Sequence, residues 1–348
     1  MIGIVTINDY DNYGNRLQNY ALQEVLAELG YNSETLINYP YSNTKVKFIL
    51  RQIKNFKKKD GYSDNVNRAN NFKSFNENIK FNEKKLTPYA SDKKYDFYIV
   101  GSDQVWNPIF GRLREVDLLS FVRPSKRISY AASFGISSIE ENINVSNELK
   151  KFKNISVREN KGKEIVKKLS GREDVEVVLD PTMLLDAHKW DSVIKRPKVK
   201  MPKKYILSYF LGDNDKYMSK IKTISAAKDL KVIDILNKNS PFFQCGPSEF
   251  LYLEKNAELI CTDSFHSCVF ALIFNKPLVV FERNQNIFSM NSRINTLITN
   301  FGLSNIKFDK EISDDNFKLF GNDVYEKINI ERQKSIDFLK KSLKKENK

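Results

Sequence analysis

This sequence predicts an α/β protein of two Rossmann-like domains facing each other across a cleft. Three observations lead there. Short apolar runs of strand length alternate with longer stretches of helical periodicity, the pattern of βα units on a parallel sheet. Several predicted strands end in Gly, Ser or Asp, at the edge where a parallel sheet gathers its ligands. The 348 residues suit two domains of roughly 150 to 180 residues each. A Lys-rich stretch containing prolines, residues 188–204, reads as the linker between them. The first domain is therefore placed at 1–187, the second at 205–325, and a basic helix at 326–348.

The first strand is read at residues 2–7. After it, Leu17, Tyr20, Ala21, Val25, Leu26 and Leu29 follow helical spacing, and Gly30 suits the residue just past a helix end. That leaves Asn12, Tyr13, Gly14 and Asn15 as a loop running into a helix N-terminus, with Gly14 allowing close backbone approach to an anion. No GxGxxG or Walker sequence accompanies it. Residues 33–39 form the second strand. Residues 41–88, rich in Lys, Asn and Phe, are expected to cover the sheet edge with helices and loops and to hold no clear strand. A buried run beginning at Tyr95 then ends in Gly101, Ser102, Asp103 and Gln104. Residues 129–133 repeat that arrangement, closing on Ser133, Phe134 and Gly135. Residues 155–157 lead to Arg158, and 175–179 lead to Asp180 and Pro181. Five strands thus bring polar residues or glycines to one edge, as a ligand crevice requires.

The second half repeats the scheme. A strand at 205–211 ends at Gly212 and Asp213, a helix follows to about residue 230, and 231–236 is a strand. A helix over 249–256 leads into residues 258–283, around which the rest is organised. This stretch reads as a strand (259–262), a polar break at Asp263 and Ser264, an apolar helix (265–274), a Lys-Pro stop and a second strand (278–281). Asp263 or Ser264 is expected to cap the helix, which puts His266 in its first turn. The chain has two histidines. His188 lies at the Lys-rich connection, so His266 is the candidate for imidazole chemistry near neutral pH, the alternative being a structural histidine bonded to a neighbouring loop. A helix at 292–300 and a last helix from 325 to about 345, with Ile336, Leu339 and Leu343 on one face, complete the chain.

Composition excludes several classes. Hydrophobic residues make up 41% of the chain, enough for real cores. Cys245, Cys261 and Cys268 form no CxxC pair and are odd in number, so neither a disulfide framework nor a zinc site is expected, and no metal or cofactor is assigned. Lys and Arg total 57 against 43 Asp and Glu, a net charge of +14. Much of the excess sits in residues 45–59, 189–204 and 332–348. None of these interleaves aromatics with glycines as an RNA-binding sheet does, and no helix-turn-helix or zinc finger is visible, so nucleic acid is not the expected partner. A solvated surface or one facing an anionic membrane is. No apolar run approaches the about 18 residues of a membrane helix, and the opening MIGIVTI reads as a strand rather than a signal peptide. A cytoplasmic protein, peripheral at most to the membrane's inner face, is expected.

Seven segments, in order, resemble the polysaccharide pyruvyl transferase family: NDYDNYGNRLQNYALQ, YDFYIVGSDQVWN, RISYAASFG, ISVREN, VVLDPTMLLD, YILSYFLG and TDSFHSCVFALIFNKPLVVF, with SRINTLIT near residue 292. The resemblance covers most of residues 1–283. It implies a fold like that of the two-domain, GT-B type glycosyltransferases, and transfer of a pyruvyl group from phosphoenolpyruvate onto sugar hydroxyls as a ketal, with release of phosphate. It implies an acceptor that is a cell-surface glycan or its lipid-linked precursor, on the side of the first domain, with the donor on the side of the second. By position, Arg158 resembles the family's arginine in its SVR motif and His266 its essential histidine. Some members carry an arginine where this chain has Ser264, and a lysine where it has Asn286, so Arg283 or Arg293 is expected to take over the donor contact. Phosphoenolpyruvate carries a phosphate and a carboxylate, which suit guanidinium forks and helix N-termini. The competing readings are a nucleotide-sugar glycosyltransferase on the same scaffold and a non-catalytic glycan-assembly protein.

Overall fold

The computed structural model of the chain describes residues 1–8, 11–38, 62–87, 89–140, 142–283 and 292–345. The basic run 45–59, Asn286 and the last three residues lie outside them. The described residues divide into two compact units: the first drawn from Met1–Thr44, Glu77–Leu185 and Ile328–Lys348, the second from Lys45–Asn76 and Asp186–Lys327. Both are α/β, and every strand pairing in both is parallel.

The first unit is built on seven strands: β1 (Ile2–Val5), β2 (Ser33–Ile37), β3 (Phe81–Lys85), β4 (Phe97–Val100), β5 (Arg127–Ala132), β6 (Asn154–Val157) and β7 (Glu176–Val177), in the order β3-β2-β1-β4-β5-β6-β7. That is the doubly wound order with one strand added, and its direction reverses between β1 and β4. Strands β1, β4 and β5 are buried along their whole length, and β1 and β4 are the continuous apolar runs that a sheet covered on both faces requires. Helix α1 (Tyr13–Glu28) follows β1. It starts four residues earlier than the apolar spacing indicates, because the Asn12 side chain caps it, accepting from the Asn15 N–H at 3.1 Å. Tyr13, Gly14 and Asn15 are thus the helix's first turn and not a loop. A second departure is β3. Its sequence FNEKK carries no apolar alternation, since it is an edge strand held by its backbone ladder to β2 and by a polar contact, Asn82 Nδ2 donating to Glu34 Oε1 at 2.8 Å.

Of the segment between β2 and β3, helix α2 (Tyr62–Asn76) groups with the second unit. There Arg68 donates to the carbonyls of Phe243 and Cys245, each at 3.2 Å, and Asn71 to that of Gln244 at 2.9 Å. Helices α3 (Ile143–Lys150) and α4 (Asn160–Ser170) connect β5 to β6 and β6 to β7.

The second, longer segment of the second unit opens with the short helix α5 (Ala187–Asp191). The linker expected from residue 188 is therefore packed at its start: Trp190 is fully buried, edge-on to Phe270 at 5.0 Å. Then come β8 (Tyr205–Tyr209), α6 (Asp215–Ala227), β9 (Lys231–Asp234), α7 (Pro247–Asn256), β10 (Leu259–Thr262), α8 (Phe265–Ile273), β11 (Leu278–Val280) and α9 (Ser292–Phe301), with sheet order β11-β10-β8-β9. All three cysteines are buried as free thiols. The last helix, α10 (Asn322–Ser342), contributes its beginning to the second unit and its remainder to the first.

Candidate active site

The candidate residues fall into two sets, one at the carboxyl edge of each sheet, and each set is internally bonded. In the first unit the edge where β1 meets β4 carries Thr6, Ser102 and Asp103. Gln18 of α1 ties the first two together: its Nε2 donates to Thr6 Oγ1 at 2.9 Å, and its Oε1 accepts from the Ser102 N–H at 3.1 Å. Gly101 is the residue this turn needs. Its backbone has φ +123, and a Cβ there would lie 2.0 Å from the Tyr130 carbonyl oxygen.

Arg158, delivered by β6, is the centre of this set. Its side chain is 1% exposed; Nη1 donates to Asp180 Oδ2 at 2.6 Å and Nη2 to Asp103 Oδ1 at 3.0 Å. Burial opposes its charge, but Asp103, Asp180 and Glu159 outweigh burial and raise its pKa further above the ordinary arginine value. Asp103, itself at a left-handed backbone position (φ 64), also accepts from Asn15 Nδ2 and from the Gln104 N–H. Asp180 Oδ2 also accepts from Ser102 Oγ at 2.9 Å, and Oδ1 from Thr182. Sequence reasoning expects a guanidinium fork open to a donor anion. The structure instead turns both Nη groups to carboxylates.

Around this core, Ser133 donates its hydroxyl to Glu159 Oε1 at 2.9 Å, and the same oxygen accepts from the N–H groups of Phe134 and Gly135. Gln104 Oε1 accepts from Asn107 Nδ2 at 2.6 Å. Asn15, Ser102, Asp103 and Arg158 are thus brought together, with Gln104 and Ser133 beside them. Asn12, Tyr13 and Gly14 serve the start of α1. Asp180, Gln18 and Glu159 belong to the network and were not among the expected site residues. Gln18 had a readable signal, since it lies three residues after Asn15 on one helix face. Asp180 ends an apolar run, as the other strand-end candidates do.

In the second unit the edge carries His266, Asp263, Arg283 and Arg293. Asp263 does not cap α8. Its Oδ1 accepts from the Leu211 N–H at 2.7 Å and its Oδ2 from the Gly212 N–H at 2.9 Å, so it ties the β10 end to the β8 end. Arg283 completes the corner, with Nε 3.1 Å from Asp263 Oδ2 and Nη2 2.9 Å from the Asp263 carbonyl. Gly212 leaves room for this pair, as a Cβ there would lie 2.9 Å from Arg283 Cγ. Ser264 occupies the N-cap position, yet its side chain makes no cap bond; its N–H donates to Thr262 Oγ1 at 3.0 Å. His266 is in the first turn of α8, 7% exposed, with its ring edge-on to Phe265 at 5.3 Å. Arg293 of α9 places its guanidinium 5.8 Å from the same Phe265 ring centroid. Next in α8, Ser267 donates to the fully buried Glu254 of α7 at 2.5 Å.

A family model for polysaccharide pyruvyl transferase matches residues 12–285. That span contains every site residue above except Thr6 and Arg293. No curated protein matches the chain. Among solved structures, a functionally uncharacterised protein of Klebsiella pneumoniae is 13% identical over 88% of this chain and 92% of its own, with a TM-score of 0.46. The Methanocaldococcus jannaschii UDP-GlcNAc 2-epimerase in complex with UDP-GlcNAc and UDP is 15% identical over 99% and 93%, with a TM-score of 0.45. An alpha-glucosyltransferase in complex with UDP is 11% identical over 97% and 94%, also at 0.45.

Proposed function

The chain belongs to the polysaccharide pyruvyl transferase family, and from that membership we propose that it transfers a pyruvyl group from phosphoenolpyruvate to two hydroxyls of a glycan or its lipid-linked precursor. The observation that carries this reading is His266, held in the first turn of α8 at the carboxyl edge of its sheet within the matched segment.

The chemistry divides into steps that balance. A proton goes to the methylene carbon of phosphoenolpyruvate, making the adjacent carbon electrophilic. A sugar hydroxyl adds there and loses its proton, the carbon–oxygen bond to phosphate breaks, and phosphate leaves. The second hydroxyl closes the ketal and loses its proton. One proton is consumed at the methylene and two are released, of which the departing phosphate takes one. Delivering and accepting protons in this sequence suits a positioned imidazole, the role assigned to His266. The N–H groups opening α8 and the Arg283 guanidinium are assigned to the donor's charges, in keeping with anion binding at helix N-termini. Arg158 is assigned to positioning: it holds Asp103 and Asp180 in the geometry described above.

The test is phosphate release from phosphoenolpyruvate with a panel of sugars, alongside thermal shifts with phosphoenolpyruvate, UDP and GDP. Phosphoenolpyruvate should raise Tm, because a ligand that binds only the native state stabilises it. Stabilisation by UDP or GDP and not by phosphoenolpyruvate would favour a nucleotide-sugar transferase. His266→Gln should lower turnover by about 10² to 10⁴ with Tm unchanged, since glutamine offers a hydrogen bond and no proton. Near-normal turnover in that variant ends the proton-transfer assignment.

A further inference from the structure

We propose that Glu254 is a positioning residue for His266, acting through Ser267. The inference rests on the catalytic reading of His266 given above. Glu254 lies on α7, fully buried, and Ser267, also fully buried, donates to its Oε1 at 2.5 Å. Oε2 meets no hydrogen-bond partner among the described residues. The two helices that carry this pair are apolar beside it in sequence: Phe250, Leu251 and Leu253 of α7 and Val269 and Phe270 of α8 are all fully buried, with the Phe250 and Phe270 rings edge-on at 6.1 Å.

A carboxyl in such a place lowers stability. A leucine of similar volume would pack there without a polar group to desolvate. What the carboxyl adds is direction. The start of α8 has no side-chain cap; among its polar anchors are the Thr262 hydroxyl, which takes the Ser264 N–H, and Glu254, which takes Ser267. Successive residues of an α-helix leave its axis about 100° apart. Holding Ser267 against α7 therefore sets the angle at which His266 leaves the first turn. Burial keeps the Glu254 carboxyl protonated well above the usual carboxylate range, the Ser267 bond opposing this. A neutral amide is thus the closest mimic of the group as it stands.

Glu254→Gln, Glu254→Leu and Ser267→Ala separate the possibilities. Glu254→Leu should remain folded, with Tm at or above that of the unmodified chain. Its kcat for phosphate release should fall about 10- to 100-fold, the size of effect a misplaced group of about 1 Å produces, with little change in phosphoenolpyruvate KM. Ser267→Ala should show the same split, and Glu254→Gln should restore kcat to within about threefold, a difference of under 1 kcal/mol. A second readout does not depend on turnover. The chain has two histidines, so nitrogen-labelled imidazoles give two sets of NMR signals, and His266→Gln assigns them. The His266 signals should move in Glu254→Leu and stay in place in Glu254→Gln. Unmoved signals with normal kcat in a folded Glu254→Leu protein would overturn the proposal, as would equal losses in the glutamine and leucine variants. If the unmodified chain releases no phosphate but the signals move as described, the positioning stands and the pyruvyl-transfer reading fails.

Discussion

Arg158 carries one positive charge among three buried carboxylates, Asp103, Asp180 and Glu159. Its planar fork spans two of them at once, which a lysine ammonium on a flexible stem cannot reproduce. Arg158→Lys is therefore expected to lower kcat/KM by about 10²-fold through misplacement of Asp103 and Asp180, and to lower the urea midpoint as well, because a buried network loses a partner. Chevron-free equilibrium unfolding and steady-state kinetics on one preparation check this. A rise confined to the phosphoenolpyruvate KM, at unaltered stability, would return Arg158 to the role of donor clamp. Burial is what separates the two roles. Sequence reasoning can place an arginine at a strand's carboxyl end, but it cannot say that two aspartates, 55 and 22 residues away in the chain, occupy its nitrogens.

Between elements, the pairing of α7 with α8 makes a prediction about pH. Glu254 titrates well above its ordinary value of 4.5 in the folded protein, because burial disfavours its charged form; Tyr205 and Cys268 are the titratable groups that feel its charge. Below about pH 4.5 the carboxyl is protonated in both folded and unfolded chains, and its contribution to stability is complete. As pH rises, the unfolded chain ionises while the folded one holds its proton, so stability is lost at up to about 1.4 kcal/mol per pH unit until the folded group itself ionises. Glu254→Gln removes this dependence. The variant's advantage in urea unfolding free energy should therefore grow from pH 5 to pH 8, other titrations cancelling in the comparison. A constant difference across that range would show that Glu254 ionises normally in the folded state. The helices themselves were readable from their apolar periodicity. The capping of α1 was half readable, since Asn12 is a good N-cap residue, but the absence of a side-chain cap on α8 was not, because Asp263 is drawn away by the N–H groups of the β8 end.

For the whole molecule the relevant quantity is the net charge of +14. Among the described residues no helix is long and apolar enough to cross a membrane. Lys195, Arg196, Lys198, Lys200, Lys203 and Lys204 are all exposed, as are Lys340, Lys341, Lys344 and Lys345 near the end of the chain. A lipid-linked acceptor would be met at an anionic surface, so the protein is expected to sediment with anionic vesicles at low salt and to be released by added salt. Each lysine or arginine near such a surface contributes about 1 kcal/mol, which salt screens. Equal sedimentation with neutral and anionic vesicles would remove the idea.

The sequence by itself determined the α/β class, most of the strands and helices, the placement of His266 in a first helical turn, and the family, because these depend on local periodicity and on short motifs read in order. The polar edge-strand β3 escaped it, since an edge strand is held by backbone pairing that leaves no apolar pattern. Tertiary structure alone decided that α2 joins the second unit while the chain's end returns to the first. It also decided which polar side chains bond to one another. The partners of Arg158, Asp263 and Ser267 come from other elements, and the cost of burying an unpaired charge or polar group, not proximity in sequence, selects them.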